Sequence, residues 1–183
     1  IRVKQLVRAI KLVYASTFFK KAKSYVAATP NSIEEERMAV VIQELVGTHH
    51  GDKFYPTIAG VARSHNHYPV GDIQPGDGLV ALALGLGKTV ADGERCLRIS
   101  PAHPKRIHQF ASTEMTLKTA QREFWAVRME KMADLIGTDP NITMIKSTLD
   151  AAEADGQLKH IASTYIAADD RIVDTLAKDG PRL

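Results

Sequence analysis

Gly87, Lys88 and Thr89 stand in the order that closes a phosphate-binding P-loop. Such a loop needs a glycine five residues before the Gly-Lys pair, so that the backbone can curl and aim its N–H groups at phosphate oxygens. That position holds Leu82. Leucine carries a Cβ penalty at positive φ, and its bulk would occupy the space of the phosphates. Residues 79–84, Leu-Val-Ala-Leu-Ala-Leu, read instead as a fully buried strand running into a glycine-rich turn. Lys88 is therefore a cation at a strand–turn junction, not a P-loop lysine.

Other residues offer chemistry of different kinds. His65 and His67 alternate in "SHNHY", so on a strand they face one side, and with His49 and His50 they would make a ligand set of the kind zinc takes. No cysteine or carboxylate stands at a ligand spacing, and polar strand-end histidines are the favoured alternative. Asp150, Glu153 and Asp155 form a carboxylate trio for magnesium, against which Asp155-Gly156 reads more economically as a turn. Phe110, Phe124 and Trp125 offer faces for a base, with core packing the favoured alternative. Cys96, the only cysteine, reads as a packed small apolar residue rather than a reactive thiol. No G-x-S-x-G elbow occurs.

These residues need elements to position them. From Val3 to Ala15 the apolar positions recur at helical spacing, and "FFKKAKSYVAA" continues as a second helix with Ser16-Thr17 as its cap. Pro30-Asn31-Ser32 breaks the chain. "RMAVVIQELVG" reads as a buried strand, His49-His50-Gly51-Asp52 as a loop, and "TIAGVARSHN" and "RCLRIS" as strands on either side of the 79–84 strand. "AHPKRIHQF" is a loop and a domain boundary. Beyond it, "QREFWAVRM" is open between strand and helix, followed by "NITMIKSTLDAAEADG", "LKHIASTY" and "DRIVDTL", with Asp155-Gly156 and Asp169-Asp170 as turns. Helices followed by strands make the expected class α+β.

The composition excludes several roles. Lys and Arg (24) are interspersed with Asp and Glu (21), so the net charge of +3 forms no basic stripe and speaks against nucleic-acid binding. No apolar run approaches the roughly 20 residues that cross a bilayer. A single cysteine permits no internal disulfide, which suits a reducing, cytoplasmic setting. The chain opens inside a helical pattern without methionine, and the expectation is a piece of a larger protein.

Taken in order, "RAIKLVYASTFFKKAKSY", "MAVVIQELV", "AGVARSHNHYP" and "GLVALALGLGKTVADG" resemble the nucleotide-binding domain of the phosphoenolpyruvate synthase and pyruvate phosphate dikinase family. The resemblance covers about the first hundred residues. It implies an ATP-grasp-like subdomain with helices packed on a mainly antiparallel sheet over residues 1–102, and an α+β connecting region over 103–183. It also implies ATP and magnesium as cofactors, with transfer of phosphate to a histidine on a separate domain and then to pyruvate on a third. Gln43, Glu44, Leu45 and Val46 match the segment that holds adenine; Ser64 and Asn66 stand near the phosphates, with Arg63 an added cation and Lys88 a phosphate contact. Where the family commonly has a glutamate before the glycine turn this chain has Ala81, and the glutamate after the turn is Lys88, leaving Asp92 or Glu94 as shifted metal ligands. The competing readings are a degenerate, non-catalytic nucleotide-binding or interaction module and a histidine metal-binding module.

Overall fold

The structure, a computed structural model, describes residues 2–30, 32, 38–129, 142–176 and 180–183. It divides into two compact units, residues 1–45 and 46–183. The fold is α+β with every strand pair antiparallel, as the sequence predicted.

The first unit holds helices α1 (Arg2–Ser16) and α2 (Lys20–Ala27). Both follow the predicted periodicity, yet the stripe carrying Val3, Leu6, Val7, Val13 and Tyr14 is exposed. Ser16 and Thr17 do not cap α2: Phe19 is the N-cap without a side-chain bond, and the Ser16 hydroxyl donates back to the Val13 carbonyl at 2.6 Å. Of the expected break at residues 30–32, Asn31 lies outside the described residues. The expected strand is not there over residues 38–47, and Arg37, its first residue, lies outside the described residues. Residues 38–47 belong to no helix or strand, and Val41 and Val46 are 78% and 77% exposed. Apolar content alone does not make a strand: each N–H and C=O needs a neighbouring ladder, and among the described residues none pairs with this stretch.

In the second unit, β1 (Thr48–His50) and β2 (Lys53–Tyr55) form a hairpin where the sequence suggested a loop. The two turn residues are Gly51 and Asp52, and Gly51 takes φ +59° at the first of them, a conformation glycine adopts without penalty. The hairpin continues a four-stranded sheet, β1-β2-β6-β7, with β6 (Glu123–Arg128) and β7 (Met144–Thr148). "QREFWAVRM" thus resolves as a strand, and "ITMIKSTLDAAEADG" as a strand followed by helix α5 (Leu149–Ala154); Asn141 before it lies outside the described residues. A three-stranded sheet joins β3 (Ala59–Arg63), β4 (Leu79–Ala83) and β5 (Leu97–Ile99) in that order, with helix α3 (Lys88–Ala91) between β4 and β5. Strand β4 is mostly half-buried rather than fully buried, because β3 beside it is an exposed edge of small residues. Helix α4 (Thr113–Thr119), capped by the Ser112 hydroxyl on the Met115 N–H, precedes β6. Strands β8 (Thr164–Ile166) and β9 (Arg171–Val173) pair separately across a turn in which Asp170 adopts φ +46°.

The core gathers Tyr55, Leu84, Phe124, Ala126, Leu149, Ala152 and Leu158. Alternation along β6 puts Phe124 and Ala126 on the inner face. The Phe124 ring meets that of Tyr55 at 4.6 Å between centroids. Phe124 is therefore core as expected, whereas Phe110 is exposed and Trp125 half-buried. Cys96 is buried and free, in keeping with a packing role.

Candidate functional site

The glycine turn has a structural reason. The Gly85 N–H donates to the Pro56 carbonyl (3.2 Å) and the Leu86 N–H to the Trp125 carbonyl (2.8 Å), so the turn is docked edge-on against β6. Gly85 sits at φ +82°, and a Cβ there would lie 2.7 Å from the Trp125 carbonyl oxygen. Only glycine meets both demands. The two N–H groups are consumed in holding sheets together and do not aim at a ligand.

What the turn presents outward is Lys88. Its ammonium pairs with Asp92 Oδ2 at 2.5 Å, one helical turn away, and lies 5.1 Å from the centroid of the Trp125 ring. The register of β6 and β7 sets Lys146 directly opposite Trp125, and its ammonium lies 5.6 Å from the same ring. Lys146 also reaches Glu94 (3.3 Å) and Glu123 (3.1 Å), whose hydrogen bonds hold its pKa above the ordinary lysine value. The Trp125 indole N–H completes the cluster by donating to Glu94 Oε1 at 3.2 Å. Three of the expected residues, Lys88, Asp92 and Glu94, therefore meet around a tryptophan.

The other expected phosphate contacts lie elsewhere. Arg63 pairs with Leu79 and Ala59 with Ala83, whereas Gly87 approaches Ala59. Arg63 and Lys88 thus sit at opposite ends of the β3–β4 pair, roughly 13 Å apart at about 3.3 Å per residue. Arg63 and Ser64 are exposed. Asn66 is buried as a turn residue: its N–H donates to the Pro75 carbonyl and its side-chain oxygen accepts from the Tyr68 N–H. Gln43, Glu44 and Leu45 are exposed in the first unit and Val46 in the second. Ala81 lies mid-strand on β4 and offers no ligand atom.

The alternative sites separate into local contacts. His65 and His67 are exposed and meet edge to face at 4.7 Å. His49 and His50 instead sit on β1 against Phe54 and Tyr55. The carboxylate trio is divided as well. Glu153 binds Arg182 at 2.6 Å, a hydrogen bond that holds its pKa below the usual carboxylate range. Asp155 accepts the Tyr55 hydroxyl at 2.7 Å and the Lys53 ammonium at 2.9 Å. Burial pushes Asp155 up, but the Tyr55 hydrogen bond, Lys53 and nearby His50 outweigh it and its pKa falls. Burial and the same carboxylate push the Tyr55 hydroxyl well above the ordinary tyrosine value.

A family model for the pyruvate phosphate dikinase AMP/ATP-binding domain matches residues 1–162. The chain belongs to that family. Neither a curated protein nor a solved structure matched it. Arg63 carries a guanidinium exposed to solvent, and the half-buried Lys88 ammonium is held by Asp92 and the Trp125 ring. The expected metal ligands, Asp92 and Glu94, do not form a protein-held site. Asp92 and Glu94 are each engaged by a lysine, and among the described residues no group of three His, Cys, Asp or Glu side chains is placed to hold an ion.

Sequence reasoning did not reach Trp125 and Lys146 as partners of Lys88. The signal was the cross-strand pairing of β6 with β7, which is invisible while "QREFWAVRM" stays open between strand and helix.

Proposed function

We propose that this chain is the nucleotide-binding part of a phosphoenolpyruvate synthase-like phosphotransferase, built on an ATP-grasp-like subdomain over residues 1–102. Residues 103–183 are its connecting region. In this reading the phosphates meet Lys88 at one end of the β3–β4 pair, while Arg63, Ser64 and the Asn66 turn at the other end, and the stretch Gln43-Glu44-Leu45-Val46, are the segments that the resemblance assigns to phosphate and base. A histidine on a separate domain of the parent protein takes phosphate, ATP ends as AMP and phosphate, and the phosphohistidine then phosphorylates pyruvate on a third domain.

The observation that carries this reading is the match of the AMP/ATP-binding family over residues 1–162. The part played by this chain is to bind and orient. Lys88 exchanges its surface carboxylate for a phosphate oxygen, which costs little because an exposed ion pair is worth only about 0–1 kcal/mol. Magnesium in this family's chemistry would neutralise phosphate charge, and among the described residues no carboxylate cluster is placed to hold it. Gln43 to Val46, exposed and outside any strand, offer their backbone groups to the base edge.

One observation favours a second reading. Ala81 stands where a metal-binding glutamate is expected, and a domain without it would serve as a non-catalytic nucleotide-binding module. The deciding assay follows AMP formed from ATP and magnesium by the parent protein, with and without pyruvate. AMP that appears only with pyruvate supports the phosphotransferase, and an added need for inorganic phosphate marks a dikinase. Nucleotide binding without AMP assigns the non-catalytic module. The 183 residues alone are expected to bind ATP without turnover; sustained pyruvate-dependent ATP consumption by them contradicts the division of labour.

A further inference from the structure

Away from the Lys88 cluster, the second unit carries a half-open cavity of about 770 Å³. Its walls come from β4, β5, α4, α5 and the β8–β9 pair, with Leu82, Leu97 and Leu158 inside and Ile58, Phe110 and Ile161 as exposed apolar side chains at its surface. That volume lies within the roughly 300–1,000 Å³ range of small-molecule sites, and exposed apolar residues converging on one opening mark a binding surface more often than chance.

The polar side chains of the wall are already used. Gln109 accepts from the Arg98 N–H and donates to the Cys96 carbonyl. Gln121 brackets Leu84, accepting from its N–H and donating to its carbonyl. Thr116 donates to the carbonyls of Ser112 and Gln109. An occupant therefore meets an apolar interior.

The polar character lies at one edge. Asp170 accepts the Tyr165 hydroxyl on Oδ1 at 3.0 Å, and Asp174 accepts the Ser163 hydroxyl on Oδ1 at 3.0 Å. Each thereby keeps a second carboxylate oxygen for an incoming donor. Arg171, the cation of the lining, turns its Nε to Asp169 at 3.1 Å. Two carboxylates against one guanidinium give this edge a net negative charge.

We propose that this cavity binds a small organic cation, with an apolar body among Leu82, Leu97 and Phe110 and a positively charged nitrogen at Asp170 and Asp174. None of the residues assigned to ATP lines it, and the carboxylates at its edge disfavour a triphosphate. The site is thus separate from the nucleotide reading and stands whether or not that reading holds.

The test titrates the 183-residue chain with two fluorescent probes of similar apolar content, cationic auramine O and anionic 8-anilinonaphthalene-1-sulfonate. Auramine O is expected to bind saturably at one site per chain, and the anionic probe at least tenfold more weakly. In the Asp170→Asn, Asp174→Asn double variant the cationic probe weakens about tenfold and the preference between probes collapses; asparagine also tolerates the left-handed backbone at position 170. Phe110→Ala removes an exposed side chain, so the fold is retained, and weakens both probes several-fold. Absence of saturable auramine O binding, equal affinity for the two probes, or wild-type binding by both variants overturns the proposal.

Discussion

Two lysine–aspartate pairs in the second unit have the same chemistry and opposite consequences. Lys53 and Asp155 are 14% and 17% exposed at their side chains and lie about a hundred residues apart, and Asp155 also accepts the Tyr55 hydroxyl. Lys88 and Asp92 are 21% and 45% exposed and lie one helical turn apart. The first pair ties the β1–β2 hairpin to the end of α5, where withdrawal from water makes each partner depend on the other. The second is solvated, replaceable by a ligand's charge, and for that reason able to serve a binding site.

The largest expected effect breaks the half-buried Lys53–Asp155 pair. Asp155→Ala leaves the Lys53 ammonium and the Tyr55 hydroxyl without their shared acceptor, and urea unfolding should show a loss of about 3–5 kcal/mol. A loss under about 1 kcal/mol would mean that the pair is no more structural than the exposed one. Gly85→Ala comes next, at about 2–4 kcal/mol, from a positive φ and a Cβ driven against the Trp125 carbonyl. Thermal unfolding of that variant reads whether the glycine turn is needed for docking on β6. Tyr55→Phe keeps the core packing and removes one hydrogen bond to a charged group, so about 1.5–3 kcal/mol is expected from the same urea experiment.

The pH dependence sharpens the contrast further. The folded-state pKa of Asp155 lies below its unfolded value of about 3.9. Its contribution to stability is therefore complete above about pH 5 and is lost as the pH falls through the folded value. Unfolding free energies measured from pH 6 to pH 2.5 should fall more steeply in the wild type than in Asp155→Asn. Parallel curves would remove Asp155 from the account. The smallest effect belongs to the exposed pair: Asp92→Asn should leave stability within about 0.5 kcal/mol, as for other helical surface pairs.

Much of this was readable in the sequence where local pattern decides. The helical spacing of Val3 to Tyr14 gave α1, and the strand before Gly85 and its turn stood out because Leu82 rules out a P-loop. The order of four segments was enough to reach the family. What stayed hidden depends on distant partners. The apolar run at 38–46 carries every strand preference except a neighbour to pair with. His49 and His50 looked like a loop because a two-residue turn at Gly51-Asp52 leaves strands only three residues long. Asp155 read as a turn residue, and it does cap α5, but its bond to Tyr55 spans a hundred residues and no spacing rule reports it. The same holds for the candidate site: Lys88 was legible from its glycine turn, whereas Trp125 and Lys146 reach it only through the β6–β7 register.

The central claim, that the half-buried Lys88 is held for a nucleotide phosphate, is tested most directly by titrating ATP into the chain and following the fluorescence of Trp125, the single tryptophan, its ring centroid 5.1 Å from that ammonium. The account predicts a saturable change in the wild type, retained in Asp92→Asn and weakened about tenfold in Lys88→Ala, the equivalent of roughly 1.4 kcal/mol for one charge-assisted contact. Binding by Lys88→Ala as tight as that of the wild type would contradict it.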